Sequence, residues 1–246
     1  MAIVAVVVLA GAGCGKPDST APGTPSEPPA AQPSASGCSH PYYPLSEGYS
    51  IAYQTDLAEA TGITFVMAVV ESGADSARVE YRFSEPSNVV MAQELECVGG
   101  QINTKGYMNM AEGLGQDGGM EFETVNVEGA LMPTNVGVGS EWTTAYDTVM
   151  NMGDIPLPPG MPSQVNARVS QRNVVLAEED ITVAAGTFRA LKFEVRMITE
   201  MDMPGLPVPP EPVEILSSQW WAKGVGMVRS ESQDGMVVEA VEVVLP

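Results

Sequence analysis

The feature that most constrains this fold is a two-residue alternation of apolar and polar side chains, which recurs along most of the chain. Every second residue of 76–83 is apolar or aromatic, and residues 88–97 and 119–127 alternate in a similar way. Successive side chains of a β-strand point to opposite faces, so this period indicates strands with one buried face. Helical periodicity does not persist beyond a turn or two. The sequence therefore predicts a mainly β fold: an antiparallel, strongly curved sheet, either a half-barrel or a sandwich, with little helix.

The N-terminal residues have a different character. Residues 2–13 form an uncharged run dominated by Ala, Val, Ile and Leu. As a helix rising about 1.5 Å per residue, this run is too short to cross a hydrocarbon core of about 30 Å, and we predict that residues 1–13 are a signal peptide. The small residues 11–13 stand directly before Cys14, and this arrangement resembles the lipobox of bacterial lipoproteins. The resemblance implies that the Cys14 thiol carries a diacylglycerol anchor.

A stretch rich in Pro, Ser and Ala follows this cysteine. Residues 15–37 contain no aromatic or β-branched aliphatic residue, so they cannot bury enough apolar surface to offset the entropy of ordering. We predict a disordered, semi-extended tether over residues 14–37, with the lipidated cysteine at its start, and a single β-rich domain over residues 38–246. Within that domain, residues 43–53 and 132–146 share a proline, then a glycine, then aromatic residues, which suggests an internal pseudo-repeat.

Two cysteines remain once Cys14 is assigned to lipid attachment, and they are Cys38 and Cys97. An exported protein folds in an oxidising compartment, so the simplest arrangement joins the two in a disulfide. A metal site built on this pair is not predicted, because His40 is the only histidine and no third soft ligand stands at close spacing. The sequence predicts no cofactor.

Charge and residue inventory exclude two classes of function. The chain carries 31 acidic and 11 basic residues, for a formal net charge of −20, and such a surface repels nucleic-acid phosphates. A Ser-His-Asp or Cys-His mechanism could use only His40, which stands beside the tether and directly before Pro41. Acidic pairs such as Glu121 and Glu123 are interpreted as a solvated strand face. We predict that the protein is neither a nucleic-acid-binding protein nor an enzyme.

Methionines and tryptophans supply the candidate ligand-binding residues. Three Met-x-Met pairs occur, at residues 108 and 110, 150 and 152, and 201 and 203, and in a strand both members of a pair face the same side. Flexible, polarisable thioethers suit an adaptable apolar groove, and they are also ligands for Cu(I). Two tryptophans are adjacent, so one of them faces outward from a regular strand and is a contact candidate. The candidates are Trp142, Met150, Met152, Met201, Met203, Trp220 and Trp221.

Three segments carry a family resemblance. They are "YYPLSEGYSIAY", "EEDITVAAGTFRALKFEV" and "QWWAKGVGMVRSE", and they are similar to recurrent signatures of poorly characterised bacterial envelope lipoproteins. The resemblance implies a β-rich exported domain, a curved half-barrel similar to that of lipoprotein carriers, whose concave face holds an acyl chain. It supplies no catalytic residues.

These observations combine into one functional hypothesis. The protein is expected to be a lipid-anchored lipoprotein of the bacterial cell envelope, facing the periplasm or the exterior. It is expected to bind an apolar ligand or acyl chain without catalysis. The lipid on Cys14 is expected to attach it to the membrane. Two alternatives remain open: a structural or interaction role with another envelope protein, and handling of Cu(I) by the methionine pairs.

Overall fold

Twelve β-strands account for the regular structure of the residues that the structure describes. The computed structural model describes residues 38–57, 60–84, 90–112, 121–151, 162–203 and 210–246, all within one compact unit, Ala31–Pro246. In chain order the strands are β1 (Ser50–Leu57), β2 (Ala60–Ser72), β3 (Ser76–Phe83), β4 (Val90–Val98), β5 (Gln101–Glu112), β6 (Glu121–Glu128), β7 (Glu141–Asn151), β8 (Gln164–Val183), β9 (Gly186–Asp202), β10 (Val213–Ala222), β11 (Gly226–Ser232) and β12 (Val237–Val244). These ranges contain no helix at all, and hence none that could span a membrane.

All twelve strands belong to one antiparallel sheet. Their spatial order is β5-β4-β3-β2-β1-β12-β11-β10-β9-β8-β7-β6, so every ladder joins strands that are consecutive in the chain, except the ladder between β1 and β12. The sheet curls until it is nearly closed, with β5 and β6 as its edges. The prediction of a mainly β, strongly curved antiparallel sheet is confirmed. The alternative of a sandwich is wrong, because a single continuous sheet is present rather than two packed ones.

The strand ends define two ends of the sheet. At one of them, the cap end, tight turns join neighbouring strands at residues 73–75, 99–100, 184–185 and 223–225. Residues 38–49 before β1 and residues 129–140 between β6 and β7 lie at the cap end too. The opposite strand ends form the far end. The predicted signal peptide, Cys14 and the tether lie outside the described residues, and the predicted domain boundary stays a prediction.

Residues 38–49, the N-terminal strap, cover the cap end. The amide of Cys38 donates to the carbonyl of Gly73 at 2.9 Å, and the amide of Gly224 donates to the carbonyl of Pro41 at 2.7 Å. The strap therefore reaches from the β2–β3 turn to the β10–β11 turn. Cys38 also forms the disulfide expected with Cys97 of β4, with the two Cα atoms 5.3 Å apart. Leu45, in the middle of the strap, is fully buried.

The two segments that resemble each other in sequence make the same backbone bonds. Each segment contains a glycine with positive φ just before a strand. Gly48, at 85°, precedes β1 and donates to β2, and Gly139, at 88°, precedes β7 and donates to β8. Glycine adopts this conformation without the steric cost that a Cβ would bring. Three bonds of the first segment are Gly48 N to Val69 O, Val69 N to Tyr49 O and Tyr49 N to Ser46 O. Their counterparts in the second segment, in the same order, are Gly139 N to Val175 O, Val175 N to Ser140 O and Ser140 N to Gly137 O.

Candidate ligand-binding face

The concave, inner face of β7–β10 carries no charged side chain over residues 142–150, 165–175, 191–201 and 213–221. In these stretches apolar, aromatic and neutral polar residues occupy the inner positions, and the charged residues occupy the alternate, outer ones. The outward-facing charged residues are Asp147, Arg168, Arg172, Lys192, Glu194, Arg196, Glu200 and Glu214. This segregation makes the inner face chemically suited to a neutral, apolar ligand.

Aromatic rings pack in a row on this face near the cap end. The ring of Phe193 lies edge-on to Trp142 with centroids 5.6 Å apart, and it stacks on Trp221 at 5.9 Å. Trp221 stacks in turn on Tyr43 of the strap at 5.7 Å. Such pairs stabilise a fold beyond the area that they bury. The row connects the inner face of β7–β10 to the strap.

A line of polar groups continues from Tyr43 across the interior. Its hydroxyl lies 3.4 Å from that of Tyr81, which donates to Gln93 Oε1 at 3.4 Å, and Gln93 Nε2 donates to Thr104 Oγ1 at 3.4 Å. Burial raises the pKa of Tyr43 to about 12. Burial also raises the pKa of Tyr49 and of Tyr53. All three phenols are therefore neutral at physiological pH.

Two buried donors on the inner face have no acceptor in the part of the chain that the structure describes. Trp142 and Asn173 stand directly opposite each other on β7 and β8, and neither Trp142 Nε1 nor Asn173 Nδ2 has a hydrogen-bond partner among the described residues. Asn173 is only 2% exposed. Its Oδ1 accepts from Gln171 Nε2 at 2.8 Å, which leaves the amide nitrogen as the free end. Buried polar groups in native proteins are nearly always paired, so two such donors side by side need an explanation.

Towards the far end the inner face opens to solvent. Ile215 and Val213 of β10 occupy inner positions opposite Met197 and Thr199 of β9. The two β10 side chains are 37% and 46% exposed, respectively, whereas Val195, one inner position nearer the cap end on β9, is only 3% exposed. Exposed apolar side chains on a concave face are a usual mark of a binding groove.

A second apolar wall lies across the ladder between β1 and β12. Tyr53, Phe65 and Phe83 stand opposite one another on β1, β2 and β3. Their rings stack in sequence, with centroids 4.9 Å apart in the first pair and 5.1 Å in the second. Tyr53 is buried, whereas Phe65 and Phe83 are half-buried. The inner face thus presents aromatic rings on both sides of the sheet junction.

The three predicted tryptophans do not share one site. Trp142 and Trp221 lie in the inner aromatic row, whereas Trp220 faces outward. The outward Trp220 is covered by its neighbours and is only 5% exposed. Lys192 Nζ lies 5.0 Å from the centroid of its ring, and its Nε1 donates to Glu179 Oε1 at 2.7 Å. The adjacent pair does split between faces, but the outward ring is not free for contact.

The predicted methionines lie far from the tryptophans. Met150 and Met201 occupy inner positions at the far end of β7 and β9, and Met203 follows directly after β9. Met150 is eight residues from Trp142, or about 27 Å along the strand. Met152 and the side chains of Met108 and Met110 lie outside the described residues. The Cu(I) hypothesis for the pairs therefore stays a prediction.

His40 belongs to the cap end rather than to the inner face. It is 3% exposed, and its Nδ1 accepts from the Tyr42 amide at 3.1 Å. Burial lowers the pKa of the imidazole, although the nearby carbonyls of Pro133 and Thr134 oppose the shift. The ring also borders a shallow polar cavity of about 430 Å³ at the cap end. In the described part of the chain, no three His, Cys, Asp or Glu side chains are grouped as metal ligands.

A second shallow cavity, of about 330 Å³, is lined mostly by outward-facing residues of β7–β9, among them Asp147, Arg168 and Glu200. Arg168 bonds to Asp147 at 2.9 Å and to Glu128 at 3.2 Å. Hydrogen bonds from Asn126 and Arg168 lower the pKa of the Asp147 carboxyl. Asp147 and Arg168 therefore neutralise each other in this cavity, which lies on the outer side of the sheet.

Sequence reasoning missed Phe193 and Asn173. Phe193 is central to the aromatic row, but it stands in a strand whose alternation marks many core positions equally. Asn173 left a readable signal: residues 165–175 alternate, and this asparagine and Gln171 occupy the positions that the alternation assigns to the buried face. A polar residue at a buried position points to a hydrogen-bonding role.

Comparison with solved structures shows the same fold in two bacterial proteins. One is a protein from Bacteroides fragilis described as exported, with a YmcC-like fold; it shares 14% identity and a TM-score of 0.51 over 82% of this chain and 98% of its own. The other is a protein from Parabacteroides distasonis described as a lipoprotein; it shares 16% identity and a TM-score of 0.51 over 84% of this chain and 99% of its own. The sequence matches none of the curated proteins with which it was compared.

A match to a protein-family model identifies the family. Residues 66–237 match the DUF3108-like family, and this range runs from β2 to the start of β12. It includes the whole of β7–β10 and therefore the uncharged inner face. The chain belongs to the DUF3108-like family.

Proposed function

We propose that this protein is a lipid-anchored component of the bacterial envelope whose inner face binds an apolar ligand, such as an acyl chain, without catalysing a reaction. The fold is shared with proteins described as exported and as a lipoprotein, which supports an envelope location. The lipobox-like residues before Cys14 support an anchor at that cysteine. The disulfide between Cys38 and Cys97 suits an oxidising compartment.

The observation that carries the binding proposal is the opening of the inner face at the far end. Ile215 and Val213 expose apolar surface on the concave side of the sheet. Single exposed apolar residues are common on any protein surface, but neighbouring ones on a concave face are a usual mark of a ligand-binding groove. The same strands place every charge on the outer side over the stretches described above, so an acyl chain would meet no charged group there.

A binding role rather than catalysis is supported by the residues that the inner face lacks. Over residues 142–150, 165–175, 191–201 and 213–221, its polar groups are Thr, Ser, Tyr, Asn, Gln and Trp side chains, without a carboxylate or an imidazole to move a proton. His40, the only histidine, accepts a backbone hydrogen bond through Nδ1 and sits at the cap end. General acid–base chemistry needs such a group within reach of the ligand.

The test is displacement of the fluorescent probe 1-N-phenylnaphthylamine from the full-length protein by hexadecane and by methyl palmitate. Ile215→Gln removes apolar surface from the inner face, and Leu216→Gln is its matched control. The two residues are neighbours with nearly equal exposure, 37% and 36%, on opposite faces of β10. We expect Ile215→Gln to weaken binding about five- to tenfold, which corresponds to about 1–1.4 kcal/mol. Leu216→Gln is expected to leave binding unchanged.

Three outcomes would contradict this proposal. Equal effects of the two substitutions would place binding elsewhere, and absence of probe binding would leave the interaction role with an envelope protein as the better account. Crosslinking in cells would then be expected to capture a protein neighbour. Binding of Cu(I) that disappears when the Met-x-Met pairs are changed to Leu, without binding of either apolar ligand, would favour the copper alternative.

A further inference from the structure

Two buried donors without an acceptor among the described residues belong to neighbouring side chains of the inner face. Trp142 Nε1 and Asn173 Nδ2 belong to side chains directly across the β7–β8 ladder, where opposite Cβ atoms lie about 5 Å apart. Both nitrogen atoms are buried and find no acceptor among the described residues. The Gln171 bond to Asn173 Oδ1, at 2.8 Å, fixes which end of that amide is free. Each nitrogen atom requires a hydrogen-bond acceptor, and an oxygen atom within reach of both would satisfy the two donors together.

The surroundings decide which kind of oxygen fits. Asn173 lies opposite Val195 on β9, and its neighbours at inner positions include Val175 and Phe193, all of them buried and apolar. The inner stretches of β7–β10 hold no lysine or arginine. An ionised carboxylate or phosphate placed here would be desolvated without a counter-charge, which is strongly unfavourable. A neutral carbonyl oxygen accepts both hydrogen bonds without that cost.

The apolar face continues from this place to the far end. On β9 the inner positions after Val195 are Met197, Thr199 and Met201, over about 20 Å of strand. Ile215 stands beside Met197 and is exposed. A hydrocarbon chain attached to the carbonyl therefore has an apolar surface to follow from Asn173 to the solvent-exposed end of the face.

We propose that Trp142 and Asn173 bind the neutral carbonyl oxygen of an acylated ligand, an ester or an amide, whose chain lies along β9 and β10. This assignment rests on the proposed function, since it names the part of the apolar ligand that the inner face recognises. It distinguishes esters and amides from free fatty acids and from plain hydrocarbons.

The experiment compares methyl palmitate, palmitamide, palmitate and hexadecane as competitors of 1-N-phenylnaphthylamine on the full-length protein. Asn173→Leu removes one donor at nearly constant volume, and Trp142→Phe removes the other while retaining a ring. Each substitution is expected to weaken ester and amide binding about five- to tenfold, in the range of one hydrogen bond, and to leave hexadecane binding unchanged. Ser218→Ala is the matched control and is expected to leave binding of all four competitors unchanged, since Ser218 is a neutral polar residue at an outer position on β10, opposite Glu194.

The outcomes separate the two proposals. Unsubstituted protein that binds hexadecane as tightly as the ester and amide overturns the carbonyl assignment and leaves apolar binding standing. Preference for ionised palmitate overturns it as well. If Asn173→Leu and Trp142→Phe alter thermal stability but not the preference for carbonyl ligands, the donors serve a buried water only, and the assignment is wrong. If no competitor displaces the probe, the proposed function fails and the carbonyl assignment fails with it.

Discussion

Gly129 at the end of β6 allows a sharp test of how the cap end is built. Its φ is +76°, and a Cβ placed there would lie 2.2 Å from the carbonyl oxygen of Thr143, a backbone atom of β7. Gly139 is the matched control, because its φ is +88° but a Cβ would meet nothing within 4 Å. Gly139→Ala should therefore show only the conformational cost of a left-handed residue, about 1–2 kcal/mol. Gly129→Ala adds a clash with backbone that cannot rotate away.

The clash should raise the total for Gly129→Ala to about 2–5 kcal/mol, since overpacking against fixed atoms adds about 1–3 kcal/mol to the conformational cost. Gly129→Ala should also weaken two nearby contacts. The adjacent Ala130 carbonyl accepts a hydrogen bond from Thr144 Oγ1, and Met132 forms a β-bridge with Ile102 of β5. Urea denaturation of both variants measures the free energies of unfolding, and amide hydrogen exchange at Ile102 reports the local loosening. Equal destabilisation by the two substitutions, within about 0.5 kcal/mol, would refute the steric reasoning.

Three further predictions concern stability and anchoring. Replacing Cys38 and Cys97 together by Ser should lower the free energy of unfolding by about 4 kcal/mol, the loop-closure term for a sequence separation of 59 residues. Urea denaturation of the variant and of the unsubstituted protein, both without reductant, measures the difference. A loss below about 1 kcal/mol would show that the strap holds without the disulfide. Stability should fall as pH rises above 10, because buried Tyr43, with its pKa raised to about 12, stays protonated in the folded state while the unfolded chain releases the proton. Between pH 10 and about 12, each such phenol lowers the free energy of unfolding by about 1.4 kcal/mol per pH unit. Tyr43→Phe should reduce the slope of the free energy of unfolding against pH by that amount, and an unchanged slope would contradict the burial of this hydroxyl. Cys14→Ser should release the protein from membranes into the soluble envelope fraction and remove the mass of the lipid, whereas retention of both would rule out the anchor.

The fold was largely readable from the sequence because alternation is a local property. A period of two directly reports that one strand face is buried, so strand positions in residues 76–83 and 164–183 follow from the residues themselves. Curvature into one nearly closed sheet, rather than a sandwich, was not decided by the pattern. Both architectures bury one face of each strand, and the ladder between β1 and β12 pairs residues too distant in sequence to leave a local mark.

The candidate site was only partly predictable for a similar reason. Trp142 and Trp221 were found because large aromatic residues are conspicuous, and residue chemistry alone could not place Trp220 under Lys192. Met150, Met201 and Met203 were grouped with the tryptophans, although they lie at the other end of the strands. Asn173 became notable only when the ladder set it opposite Trp142 and left both nitrogen atoms without an acceptor. Such a pairing depends on the register between β7 and β8, which cannot be deduced from the sequence alone.

The ladder between β1 and β12 has a consequence for how the chain folds. Each of the other ladders among the described strands joins neighbours in sequence, whereas this one brings Ser50 beside Val244. It therefore accounts for the largest loop closure during folding. A circular permutant that joins residue 246 to residue 38 and opens the chain between β5 and β6 would retain every ladder and make all of them local. We expect this permutant to fold faster than the natural order, with its new termini at the two edges of the sheet.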